Sequence, residues 1–132
     1  MERRHVNPWT WQDQFGFSQA VDVSGGERVL YCAGQTSSAA DGSTLHADDM
    51  RAQTEQAFDN LETVLQAAGM SLANVVRLNS YVTDVDLFFA EGAEVAGKRA
   101  AAAGIQPAAT LLGVTRLAFP DLLIELEATA VT

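Results

Sequence analysis

The chain has one cysteine, Cys32, and few cations: 8 lysines and arginines against 17 aspartates and glutamates in 132 residues. A lone cysteine excludes an internal disulfide and a cysteine-rich zinc site. The neighbours of Cys32, Val29-Leu-Tyr and Ala33, are apolar or small. A buried structural thiol is therefore expected rather than a nucleophile, because burial raises a thiol pKa. The cations are scattered singly or in pairs, and the net charge is −9. Without a basic stripe a phosphate backbone is repelled, so nucleic acid is not an expected partner, although a local pocket can still oppose the global sign. No apolar run approaches the length of a membrane span. The segment Met1-Glu-Arg-Arg-His5 lacks the apolar centre of a signal peptide, and a cytoplasmic location is expected. The two histidines, His5 in a polar arm and His46 in a loop, form no metal spacing with acidic residues and read as solvent-facing. No metal and no other cofactor is expected. Ser24-Gly25-Gly26 marks a turn rather than a phosphate cradle, since no helix follows it.

What is present fits one domain, residues 1–132, with residues 1–15 as a partly docked arm carrying Trp9 and Trp11. An apolar fraction of 48% is ordinary for a folded protein. Folding at this length buries roughly two-thirds of the chain's surface. Alternation over 18–23 and 28–34, separated by Ser24-Gly-Gly-Glu27, predicts a β-hairpin. A Ser/Gly/Asp-rich loop follows, with room for a short extra strand. Asp48 or Asp49 then caps a helix whose Met50, Thr54, Ala57, Phe58, Leu61 and Leu65 recur at three- and four-residue steps, ending before Gly69. Residues 73–83 read as a strand, with Val76, Leu78, Ser80 and Val82 on one face and Val75, Arg77, Asn79 and Tyr81 on the other.

A second helix is expected from about Asp86 to Ala103, capped by Asp84 or Asp86 and stopped by Gly104 and Pro107. The last segments, Gln106 to Leu117 and Leu123 to Val131, read as strands on either side of a turn at Phe119-Pro120-Asp121. The order β-β-α-β-α-β-β implies an α+β fold, a mixed sheet with two helices on one face. If Leu122, Ile124, Leu126 and Ala128 meet the helices, then Leu123, Glu125, Glu127 and Thr129 occupy the bare face. An aliphatic and acidic face of this kind calls for burial against symmetry mates.

Several local patterns occur together, in order: Gly16-Phe-Ser-Gln-Ala-Val21, Gly34-Gln35, Gln53-Thr-Glu-Gln-Ala-Phe-Asp-Asn-Leu61, Val82-Thr-Asp84, and the block from Gln106 to Val131. From about Phe15 onward the chain resembles the RidA/YjgF family, also described as L-PSP endoribonucleases, which hydrolyses reactive enamines and imines. The resemblance implies a chorismate-mutase-like fold and a homotrimer closing a barrel of sheets, with small-molecule clefts between subunits. Carried onto this chain, it implies that the acidic residue of the last strand is Glu125, positioning or activating water. Gly34 lines the cleft with its backbone. The family's site tyrosine becomes Phe17, its carboxylate-binding arginine, which follows the proline-alanine pair, becomes Ala109, its cysteine becomes Leu111, and its helix asparagine falls near Gly92. A methyl group cannot replace the bidentate fork of a guanidinium. The expected substrate is thus not a short imino acid but a larger, apolar or differently charged C=N or enamine compound. The alternative is a trimer that binds a small ligand, or serves a structural role, without catalysis; Glu125 would then be an interface carboxylate paired with Arg116 or Arg77. Glu127 is expected in an ion pair.

Overall fold

The computed structural model describes Met1 to Thr132. Strand β1 (Glu2–Val6) pairs with β2 (Ala20–Ser24) in a separate two-stranded ribbon. The main sheet contains β3 (Val29–Tyr31), β4 (Gln35–Thr36), β5 (Val75–Val82), β6 (Ala108–Gly113) and β7 (Ile124–Val131). Its order is β3-β7-β5-β6, with β4 also on β7. Strands β5 and β6 are parallel; every other pairing is antiparallel. Helix α1 (Met50–Ala67) and a second helical run cover one face. That run is α2 (Val85–Leu87), a π-helical turn at Phe88–Gly92 and α3 (Ala93–Ala103). This is the expected α+β architecture.

Local chemistry explains the elements. Asp49 caps α1 by accepting a hydrogen bond from the Ala52 amide at 3.0 Å, and Asp84 caps α2 through the Leu87 amide, also at 3.0 Å. Gly69 follows the end of α1 at φ +74°, a conformation that disfavours any residue with a Cβ. The apolar stripe of α1 meets the alternate residues Ile124, Leu126, Ala128 and Ala130 of β7, all buried. Cys32 is buried in the same core, and that burial pushes its thiol pKa up.

Three expectations change. The predicted hairpin does not form: the turn at Gly25 is present, but β2 takes β1 as its partner, and β3 goes to the end of β7. The residues read as an arm thus include a strand, held to the body by Arg3, whose guanidinium donates to the carbonyls of Ala73 (2.6 Å) and Val131 (3.1 Å). In β5 a bulge between Val75 and Arg77 shifts the alternation. Val75 therefore lies buried with Leu78 and Val82 rather than sharing the face of Arg77. The two C-terminal strands flank β5 and do not pair with each other.

Candidate functional site

Along β5 and β6 the register sets Leu78 beside Ala109 and Ser80 beside Leu111, while Arg77, Asn79 and Tyr81 align with Ala108, Thr110 and Leu112. The first set faces the helices. Strand β6 is the edge of the sheet, and beyond it a cavity of about 940 Å³ opens between α3, β6 and the segment Asp13 to Phe17. Phe17, Ala109 and Leu111 all line it, with Phe15, Phe88 and Phe89 supplying further aromatic wall. The small residues Ala93, Ala96, Gly97 and Ala100 of α3 leave the space that larger side chains would fill. A 3₁₀ turn at Trp11–Phe15 ends at Gly16, whose φ of +72° brings the chain round to present Phe17. The Trp11 ring meets Phe17 edge-on, 5.7 Å between centroids, and fixes its place in the wall.

Glu125 and Gly34 form a second group on the bare side of the sheet. Glu125 stands opposite Thr36 on β4 and Tyr81 on β5. A methyl group at Gly34 would lie 2.6 Å from the Glu125 carboxyl carbon and 2.9 Å from its Cγ, so glycine is what admits the carboxylate there. Glu125 has no hydrogen bond and no ion pair within the chain. Arg77 instead donates to Thr110 Oγ1 at 2.8 Å, and Arg116 to the carbonyls of Leu117 and Ala118. Within one chain, then, neither arginine engages Glu125. Glu127, expected in an ion pair, instead accepts hydrogen bonds from Asn79 Nδ2 (3.0 Å) and the Tyr81 hydroxyl (2.9 Å). Those donors hold its carboxyl below the usual range, and the Glu127 carboxylate, by accepting from the Tyr81 hydroxyl, pushes that phenol above its own.

Gly92 stands apart from both groups. It is buried in the π-helical turn, where an added Cβ would come within 2.8 Å of Phe88 and 2.9 Å of Thr54 Oγ1. Its role is close approach of that turn to α1, and it does not line the cavity.

Two polar cavity residues were not legible as such. His5 is solvent-exposed, as expected, but β1 also brings it into the lining of the cavity, with Nδ1 2.7 Å from Ser18 Oγ. Asp13 is the only carboxylate in the lining, and no lysine or arginine joins it. The alternation of Arg3, His5 and Asn7 was the available signal, but a polar strand without a known partner looks like a loop.

The chain and its fold resemble those of known proteins. A conserved Rid protein of Yersinia pestis, whose structure is described as that of a protein of unknown function, is 41% identical with a TM-score of 0.87, all of both chains being covered. TdcF of E. coli, solved with bound serine, is 25% identical with a TM-score of 0.70 over 88% of this chain and 87% of its own. A RutC family protein of Pyrococcus horikoshii is 32% identical over 114 residues, 86% of this chain and 85% of that one. The family model described as Endoribonuclease L-PSP matches residues 12–132, and the chain belongs to that family, the RidA/YjgF proteins.

Proposed function

We propose that the protein is an enzyme of reactive C=N compounds, imines or their enamine tautomers, working in the Phe17–Ala109–Leu111 cavity as one of three intersubunit clefts of a homotrimer. Glu125, brought to the open side of the cavity by a neighbouring subunit, is its acid/base, and Gly34 clears the space for that carboxylate. The observation that carries this reading is Glu125 itself: a carboxylate seated against a glycine with no cation or donor engaging it within the chain. Free of any partner in its own chain, the carboxylate keeps its lone pairs open for proton transfer across the subunit boundary. Family membership supports a small-molecule role, and serine in TdcF supports ligands of amino-acid size. The net charge of −9 weighs against RNA as the substrate.

In the proposed reaction water adds to the carbon of an iminium while Glu125 takes one of the water's protons, and the C=N π pair moves to nitrogen. The carboxyl then returns its proton to that nitrogen. The C–N bond breaks with its pair going to ammonia, and the hydroxyl proton is lost to solvent as the carbonyl forms. The second reading, a trimer that binds such a compound without turning it over, draws on the separation of Glu125 from the cavity within one chain.

The test is an imine generated in place from phenethylamine by a flavin-dependent amine oxidase, with semicarbazide competing for it. Wild type should divert imine from the trap well above background. Glu125→Gln should abolish this, Glu127→Gln should reduce it less, and both should keep the native oligomeric state. Equal turnover by wild type and Glu125→Gln would remove Glu125 from the chemistry. No acceleration by wild type over a panel of aromatic imines would leave the binding reading.

A further inference from the structure

We propose that His5 is the ligand-recognition residue of the cavity, selecting an aromatic ligand that presents a positively charged N–H group, an iminium, amidinium or amine, rather than a carboxylate. The inference rests on the functional reading of this cavity as a C=N site and names its substrate class.

The argument begins at Ser18, which is almost wholly buried. Its backbone amide donates to the Pro107 carbonyl at 3.0 Å, pinning the segment to the start of β6. Its hydroxyl lies 2.7 Å from the Gln106 carbonyl oxygen, and a carbonyl can only accept. The single hydroxyl proton of Ser18 is therefore committed to Gln106. The His5 Nδ1 atom lies 2.7 Å from the same oxygen, so in that contact the ring nitrogen must be the donor. This chain of bonds selects the Nδ1–H tautomer of neutral His5. Nε2 then carries a lone pair and has no partner within the chain. Antiparallel pairing with Val21 holds His5, a solvent-exposed residue, on a strand rather than on a loose arm, and His5 contributes to the lining of the cavity.

The rest of the lining agrees in sign. Within one chain Asp13 is its only carboxylate, and that chain supplies no lysine or arginine to meet an anion. Phe15, Phe17, Phe88 and Phe89 present π-faces and edges, which stack on an aromatic group and attract a cation at their faces. An acceptor nitrogen, one carboxylate and four phenylalanines together suit an aromatic cation with N–H donors. A carboxylate in the same space would find no charge-assisted donor.

Benzamidine is a stable probe of this class: an aromatic ring, a C=N bond, a positive charge and N–H donors. Long-range proton–nitrogen spectra of the full chain should show two imidazoles, assigned with His46→Gln, and His5 should be in the Nδ1–H form. Adding benzamidine should shift His5 Nε2 and leave His46 unmoved. Affinity for benzamidine should exceed that for benzoate at least tenfold. It should fall at least tenfold in His5→Phe, which keeps a planar ring, and by a smaller factor in Ser18→Ala, which frees the tautomer. An Nε2–H tautomer in the free protein, preference for benzoate, equal affinity of His5→Phe, or no binding of benzamidine would each overturn the proposal. Benzamidine binding through His5 in a protein that hydrolyses no imine would instead keep this recognition and remove the enzymatic reading.

Discussion

Ala109 lines the cavity next to Leu78 in the β5–β6 register, and its methyl group is all that this position contributes to the wall. A small imino acid offers few atoms beyond its carboxylate, and the lining has no cation to hold that group. A charge-assisted hydrogen bond contributes about 1.5–3 kcal/mol, on the order of ten- to a hundredfold in binding or rate. Wild type should therefore be slow on the imine formed from alanine by an amino-acid oxidase, and Ala109→Arg should speed it. Recovery should be incomplete, because Phe17 and Leu111 share the wall and neighbouring substitutions are not additive. Wild-type rates well above background on that imine would show a carboxylate held by another route. At this scale Phe17, Ala109 and Leu111 are legible only through the family resemblance, whose motifs carry their positions onto this chain. The sequence reading passed over His5 and Asp13, whose position depends on which strand β1 joins. Contacts with residues distant in sequence, such as those that link His5 through Ser18 to Gln106, are not carried by periodicity.

Among the elements, α1 was the most legible, because one helix carries its own cap, stripe and stop signal. The same helix explains part of the motif that placed the chain in its family. Gln53 donates from Nε2 to the Asp121 carbonyl at 2.9 Å and accepts from the Leu123 amide at 2.8 Å, so it anchors the connection into β7. Asn60 donates to the carbonyls of Thr36 and Ser38 and anchors β4, which stands beside Glu125. Strand partners were less legible: alternation identifies a strand and its two faces but not its neighbour. The expected hairpin failed for that reason: β2 pairs with β1, which precedes it, and β3 pairs with β7 at the far end of the chain. The π-helical turn was invisible for another reason, because Phe88 to Gly92 fits the ordinary helical period well enough to read as α-helix. There Gly92 permits contact with α1, which yields a test of its role. Gly92→Ala forces a Cβ against Phe88 and Thr54, and overpacking of this kind costs roughly 1–3 kcal/mol. Denaturant unfolding should show that loss, with turnover per folded molecule nearly unchanged. A variant as stable as wild type with altered substrate preference would place Gly92 in the site after all.

At the scale of the molecule, the helix-free face of the sheet sets the expectation for assembly. It carries Glu125, Glu127 and Thr129 from β7, Arg77, Asn79 and Tyr81 from β5, and Thr110 and Leu112 from β6. No helix of the chain covers it, and Tyr31, paired with Thr129 at one side, is 80% exposed. Nearby Asn79 donates to Glu127, yet its own carbonyl oxygen is buried without a hydrogen bond. Large exposed apolar side chains beside a half-satisfied polar network are costly on a monomer, and closed rotational symmetry removes them by burying the same patch on every copy. Three sheets meeting on these faces would also bring Glu125 of one subunit towards the β6 edge of the next, where the cavity opens. The protein should therefore be a homotrimer of three 14.1 kDa chains, with catalysis dependent on assembly. Light scattering over a dilution series should return the trimer mass down to micromolar concentration. Glu125→Gln, which replaces the carboxylate with an amide of nearly the same shape, should leave that mass unchanged. A second check uses complementation. Mixing Glu125→Gln subunits with subunits whose cavity is blocked at Ala109 by tryptophan, under conditions that allow exchange, should restore a fraction of wild-type turnover. Only a cleft shared between two chains can combine an intact cavity from one with an intact carboxylate from the other. A monomer in solution, or exchange without recovery, would separate Glu125 from the cavity and with it the proposed chemistry.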